Sequence, residues 1–277
     1  MCYLKGATAP LIGVGYRAGL KAWIDANPPE IQCLELTAEH FFDGPAEDQL
    51  VSLRARYPLF VHGLGLSLGT PGPPDRDTLN QFCRVVEVAD PEWISEHVAF
   101  TRSHDVDLGH LNPVAPTRAS LAVLVENVQR LRDRCAKPVI LENVTTFLQI
   151  SGDMRETEFL NQLCDQVDCG LLLDVTNLWI NSRNHGFDPL RWLHELNPER
   201  IVQLHVVGYS VKDGIYYDRH ADAIQDELYD LVREVLDHAA VRAIVIERDV
   251  DLPPPAALAN ELTRLAALSR PLEKQRS

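Results

Sequence analysis

The chain has 277 residues, 45% hydrophobic and 24% charged, which is the balance of a soluble globular protein. Its formal net charge of −14 argues against nucleic acid or an anionic membrane surface as the main partner, because both select a basic face. No segment approaches the roughly 18 consecutive apolar residues a membrane helix needs. The start, "MCYLKGATAPLIGVGY", lacks a charged leader followed by a long apolar core, so the expected location is cytoplasmic.

In chain order, apolar strand-like runs alternate with helix-period stretches. The runs are "LIGVGY" (11–16), "QCLELT" (32–37), "LFVHGL" (59–64), "WISEHVAF" (93–100), "PVILENV" (138–144), "GLLLDVT" (170–176), "IVQLHVVG" (201–208) and "RAIVIERD" (242–249). "GTPGPPDRD" (69–77) reads as a surface loop entering a helix, and the preceding "HGLGLSLG" lacks the Lys-Ser/Thr of a P-loop. Amphipathic helices are expected over 117–135 and 222–239. Eight strand–helix units imply parallel strands and a (β/α)8 TIM barrel, expected as a single domain over 1–277 with its core over about 11–270. A doubly wound open sheet is the rival. The six cysteines are scattered and form no Cys-x-x-Cys, so reduced, mostly buried thiols are expected, Cys33 among them.

Strand after strand ends on a polar residue. Glu35 follows "QCL", His62 follows "LFV", Glu96 and His97 follow "WIS", and Glu142 follows "PVIL". Asp174 follows "GLLL", His205 follows "IVQL", and Glu247 follows "AIVI". In a parallel barrel these ends meet at one mouth, where barrel enzymes keep their active sites. Carboxylates gathered there repel one another unless cations intervene, and bound metal ions supply that charge. Asp218 and His220, two residues apart in "YYDRHAD", read as a two-armed metal grip in a loop after the seventh strand. Asn177 and His185 are placed in the loop after the sixth strand, on the same rim.

A lone histidine after a strand is more often a packed core or rim residue than a ligand, and here the repetition carries the inference. Glu35 and Glu39 read better as capping or orienting residues than as ligands. His40, His104, His110, His194 and His238 read as surface or packing residues. The candidate ligands supply nitrogen and oxygen without cysteine, a set that suits iron, manganese or zinc. About nine ligands exceed what one ion takes, so two or three ions are expected, with Glu142 the central candidate bridge. Glu142, His205 and Asp174 are the candidate catalytic residues.

Stretches spread nearly end to end resemble the multinuclear non-heme iron-dependent oxidative enzymes. They are "GVGYRAG" (13–19), "HGLGLSLG" (62–69), "SEHVAF" (95–100), "LENVTTFL" (141–148), "GLLLDVTNLWINSRNHGFD" (170–188), "LHVVGYS" (204–210), "DRHAD" (218–222) and "IERD" (246–249). The resemblance implies a TIM barrel carrying two or three irons, mixed Fe(II)/Fe(III), that uses O2 to modify a cysteine in a ribosomally made precursor peptide. It also implies a small partner protein that recognises the leader peptide. By resemblance, His62, His97, Glu142, Asp174, His205 and Glu247 hold two irons, and Asn177, Asp218 and His220 complete a third position. One branch of the family makes oxazolone–thioamide units, and another excises the β-carbon of a C-terminal cysteine as formate. The "NHGFD" loop differs from the first branch, and the chain leans towards the second. The rivals are a divalent-metal sugar isomerase, a zinc hydrolase or endonuclease, and a non-enzymatic barrel that binds a peptide or stores metal.

Overall fold

A computed structural model of the chain describes residues 9–43, 47–103 and 106–269. Buried aliphatic runs form β1 (Leu11–Gly15), β2 (Cys33–Thr37), β3 (Leu59–His62) and β4 (Ile94–His97). A hairpin of β5 (Ala99–Ser103) and β6 (Val106–Pro113) follows. Then come β7 (Val139–Glu142), β8 (Gly170–Asp174) and β9 (Ile201–Val206). A second hairpin, β10 (Gly208–Lys212) with β11 (Ile215–Asp222), precedes β12 (Ala243–Ile246). Eight strands close in the order β1-β12-β9-β8-β7-β4-β3-β2, every neighbouring pair parallel. This is the TIM barrel expected from the sequence, and each expected run supplies one barrel strand. The open doubly wound sheet is excluded by closure of β1 on β12.

The hairpins were not expected. Both leave the C-terminal ends of barrel strands, so they stand at the mouth. The second also shortens an expected helix. Asp222 pairs with Gly208 in the hairpin, and the helix begins only at Asp226. The other expected helix runs Arg118–Cys135, with Thr117 accepting from Ser120 N at its start and left-handed Ala136 at its end. "GTPGPPDRD" does enter a helix, Arg76–Ala89, capped by Asp75.

Two apolar layers hold the barrel. The larger lies between strands and helices and includes Ile12, Leu34, Val61, Leu124 and Leu262. The smaller fills the barrel floor with Cys33, Phe60, Trp93, Ile140, Leu172 and Val245, and Phe60 stacks on Trp93 with ring centroids 4.1 Å apart. A Cβ at Gly13 would lie 2.1 Å from Cys33 O, so the β1–β2 approach requires glycine there. Cys33 is fully buried and burial raises its thiol pKa, the inert thiol expected. Among the described residues no helix is long and apolar enough to cross a membrane.

Candidate metal centre

Strand register builds the site. His97 is the register partner of Glu142 across β4–β7, and Asp174 is the partner of His205 across β8–β9. Partners in a parallel ladder point the same way, so each pair is presented side by side. His62 ends β3, Glu247 directly follows β12, and all six side chains are buried.

These residues fall into overlapping groups, each with ligand atoms close enough to share an ion. In the first, His62 Nε2 and His97 Nε2 lie 3.4 and 3.3 Å from Glu142 Oε2. His62 Nδ1 is taken by Ser95 Oγ at 2.8 Å. His62 Nε2 and Glu142 Oε2 are buried without hydrogen-bond partners. Desolvated polar atoms left unpaired cost free energy, and several lone pairs converging on one point are the arrangement a cation relieves.

The second group joins Glu142, Asp174, His205 and Glu247. His205 Nδ1 lies 3.2 Å from Glu142 Oε1 and 3.1 Å from Glu247 Oε2. Glu142 thus turns one oxygen to each group. Burial and the neighbouring charges of Glu142 and Asp218 push the Asp174 carboxyl well above its ordinary pKa. Burial opposes charge on Glu247 too, but His220 and His205 outweigh it and hold that carboxyl well below its usual range. Burial likewise works against a charged His97, yet Glu142 and Glu96 push it up to about 9. Such opposed shifts in one cluster mark a site where charge balance is unfinished.

The third group is His220, Glu247 and Asp249. Asp218 and His220 lie on β11, not in a loop, and the strand is bulged there. Gly208 pairs with Asp222 and Tyr209 with Asp218, so three residues centred on His220 bulge out of the ladder. His220 takes a left-handed φ of 51°. That conformation, rather than extended alternation, swings its ring back to Asp218, with Nε2 2.8 Å from Oδ2. A Cβ at Gly208 would meet Ala223 O at 2.1 Å, so the bulge needs glycine opposite. Asp249 was missed by sequence reasoning, as was Arg17, whose Nε donates to Asp249 Oδ1 at 2.6 Å and whose Nη2 lies 3.4 Å from Glu247 Oε1. The signal was present: Glu-x-Asp in "IERD" has the same spacing as Asp-x-His in "DRHAD".

Asn177 and His185 lie on the helix Val175–His185, not in a loop, because Asp174 caps it by accepting from Asn177 N at 2.7 Å and Gly186 ends it at φ 74°. Asn177 is buried beside the cluster, with Oδ1 bonded by Thr145 Oγ1 and Nδ2 donating to Asn143 O. His185 contacts Thr146 O at 2.8 Å and lies in none of the ligand groups. Glu39 Oε1 accepts from Leu64 N and Gly65 N, both at 2.8 Å, which orients the loop after β3. Glu35 sits beneath the cluster, against His205. His110 lies on β6, and His104 lies outside the described residues.

A cavity of about 920 Å3 opens over these groups, reaching His97, Glu142, Asn177, Asp218, His220 and Glu247 on its floor. Arg17, Arg102, Leu64 and Phe147 line its sides.

Comparison with known proteins shows the family. The profile of the family described as "RiPP precursor modification enzyme MbnB/TglH/ChrH" matches residues 11–270. The chain belongs to this family. Relatives of this chain include several designated UPF0276 protein. One from Chromobacterium violaceum is 36% identical over 259 residues, covering 92% of this chain and 94% of its own. One from Caulobacter vibrioides is 31% identical over 254 residues, covering 90% and 91%. Solved structures with the same fold include a D-psicose 3-epimerase with D-fructose (TM-score 0.59, 12% identity, covering 94% of this chain and 95% of its own). Endonuclease IV from Thermus thermophilus is another (TM-score 0.59, 15% identity, covering 94% and 98%). At such identities these structures speak to the fold alone. The family is one of enzymes that act on precursors of ribosomally synthesised, post-translationally modified peptides.

Proposed function

We propose that this chain is an iron- and O2-dependent oxidoreductase that modifies a cysteine in a ribosomally made precursor peptide. The observation that carries the reading is the run of ligand groups joined by Glu142 and Glu247 at the mouth of a barrel of this family. The donors fit iron: they are nitrogen and oxygen, several are buried and unpaired, and no thiolate stands among them. His62, His97 and Glu142 would hold one ion, and Glu142, Asp174, His205 and Glu247 a second. His220, Glu247 and Asp249, with Asp218 and Asn177 beside them, would hold a third. Glu142, Asp174 and His205 are the proposed catalytic residues. Bound iron in mixed Fe(II)/Fe(III) form supplies one-electron chemistry with O2 and acidifies a coordinated substrate thiol.

The chain's own residues prepare that chemistry. Arg17 pairs with both Glu247 and Asp249 and fixes their side chains at the edge of the cluster. Glu39 fixes the loop that carries Leu64, and Leu64 and Phe147 give the cavity apolar surface at its rim. The cavity volume suits a cysteine with its flanking residues. Within this reading the product is β-carbon excision at a C-terminal cysteine, or else oxazolone–thioamide conversion. A small leader-binding partner belongs to the same reading, and exposed Val106, Val211 and Ile215 on the two hairpins offer it apolar surface beside the mouth.

The test is metal analysis of protein purified without added metal, followed by supply of ferrous iron, O2 and a cysteine-containing precursor peptide. Iron filling two or three of the groups is expected, with O2 uptake matched to a mass change in the peptide and none with a serine peptide. Stoichiometric zinc without O2 uptake would overturn the reading.

A further inference from the structure

Beneath the ligand groups runs a buried chain of polar contacts that the metal ligands do not need for themselves. Trp93 Nε1 donates to Gln203 Oε1 at 2.7 Å. Gln203 Nε2 donates to Glu35 Oε2 at 2.5 Å. Glu35 Oε1 lies 2.7 Å from His205 Nε2. All four residues are buried, and the Phe60 ring stacked on Trp93 fixes the indole where the chain starts. Gln203 precedes His205 by two residues on β9, so the strand itself sets one above the other.

His205 Nε2 also lies 3.2 Å from Gln203 Nε2, but its 2.7 Å contact with Glu35 Oε1 is the closer one and sets the polarity of this chain, because a carboxylate oxygen so near a ring nitrogen needs a proton between them. An indole N–H can only donate, so Gln203 must turn its carbonyl oxygen to Trp93. Its amide nitrogen then faces Glu35 and donates. Glu35 Oε2 is thereby occupied as an acceptor, and Oε1 accepts the proton that His205 carries on Nε2. His205 Nδ1, on the other side of the ring, faces Glu142 and Glu247. Metal-bound histidines are held in this manner, the distal N–H on a carboxylate.

We propose that Glu35, Gln203 and Trp93 are positioning residues that lock His205 in the Nε2–H tautomer, so that Nδ1 is its metal-binding atom. The inference rests on the reading of the cluster as a metal centre, and on nothing about the substrate. It makes Glu35→Gln an inverting substitution. With Gln203 still donating, the new amide would turn its oxygen to Gln203 and its NH2 to His205 Nε2. His205 would then carry its proton on Nδ1, where the metal should bind.

The experiment uses the full chain loaded with zinc as a diamagnetic probe. Long-range 1H–15N correlation spectra of histidine-labelled protein, assigned with a His205→Ala variant, locate the retained imidazole proton. The expected result is a slowly exchanging proton on Nε2 and zinc on Nδ1. E35Q is expected to weaken zinc at the His205 position by about 10- to 100-fold, the usual effect of removing such a partner, while the His62/His97/Glu142 position keeps its affinity. Trp93→Phe, which frees Gln203 to flip, should give a smaller loss at the same position. Zinc on Nε2 of the wild type would overturn the proposal, and so would an E35Q protein whose two positions weaken together or not at all. The wild-type spectrum decides even where E35Q does not fold. Wild-type protein that takes up no metal would overturn the metal-centre reading itself.

Discussion

His220 Nδ1 lies 2.7 Å from Asp249 Oδ2, joining the bulge of β11 to the residues that follow β12. The third ligand group is therefore shared between a hairpin and a barrel strand, and its loss can be staged. Replacing Asp218 and His220 together with alanine should remove about one metal equivalent and leave those held by ligands on the barrel strands, which are more rigidly placed than a bulge in a two-stranded hairpin. Asp249→Ala should weaken the same position. Metal and protein quantified on one sample check this. Loss of all metal would show that the groups fill as a unit.

Glu142 turns Oε1 to His205 and Oε2 to His62 and His97. Glu142→Ala should then deplete two positions, whereas His62→Ala should deplete one. Activity is expected to vanish in both, with the fold retained, since mouth residues serve the site more than the core. Circular dichroism beside metal analysis separates the two effects. Equal metal content in the two variants would remove Glu142 from its bridging place.

The metal-free protein should lose stability as pH rises through the range in which its histidines give up their protons. His97 has a folded pKa of about 9 against an ordinary 6.5, and His205 and His220 are also raised, while His62 is lowered. A raised histidine contributes stability in full below its unfolded pKa and loses it on the way up to the folded one. The His97 shift places that loss between about pH 6.5 and 9, by up to a few kcal/mol. Metal-loaded protein holds these rings neutral and should gain, not lose, on the same rise, because protons compete with metal. Urea unfolding at both pH values, with and without metal, measures it. A metal-free protein more stable at the upper pH would contradict the prediction.

His185 contacts Thr146 O at 2.8 Å, and Asn181 Oδ1 accepts from Thr146 N at 2.9 Å. They pin the segment whose Thr145 and Phe147 line the cavity. His185→Ala should raise KM several-fold while metal content stays level. Steady-state kinetics beside metal analysis test it, and a fall in bound metal would make His185 a ligand instead.

Much of the architecture is legible in the residues alone. Buried parallel strands are short unbroken apolar runs, and a polar residue closing each one is conspicuous against them, which is why Glu142, Asp174 and His205 stood out. The hairpins did not. "VDLGHLNP" in β6 and "IYYDRHAD" in β11 are half-exposed ribbons whose side chains lack a strong apolar alternation. Asn177 and His185 were misplaced because Asp174 ends a strand and caps a helix at once, leaving no loop between them. Asp249 is a surface-like acid in sequence and becomes a candidate ligand only through the left-handed turn at His220. The role of Glu35 depends on which layer of the barrel it occupies, and that is fixed by strand register, a long-range property.

Arg17 follows β1, and Glu247 and Asp249 follow β12, so their ion pairs fasten the seam where the first and last barrel strands meet. This has a consequence for biogenesis. A nascent chain grown only through β11 already owns His62, His97, Glu142, Asp174, His205, Asp218 and His220, yet it lacks Glu247 and Asp249, the two acids that finish the site. Glu247 is also what links the second ligand group to the third. Full loading of the proposed metal centre would therefore wait for the ring of strands to close, and a ribosome-bound intermediate would offer metal only a partial berth.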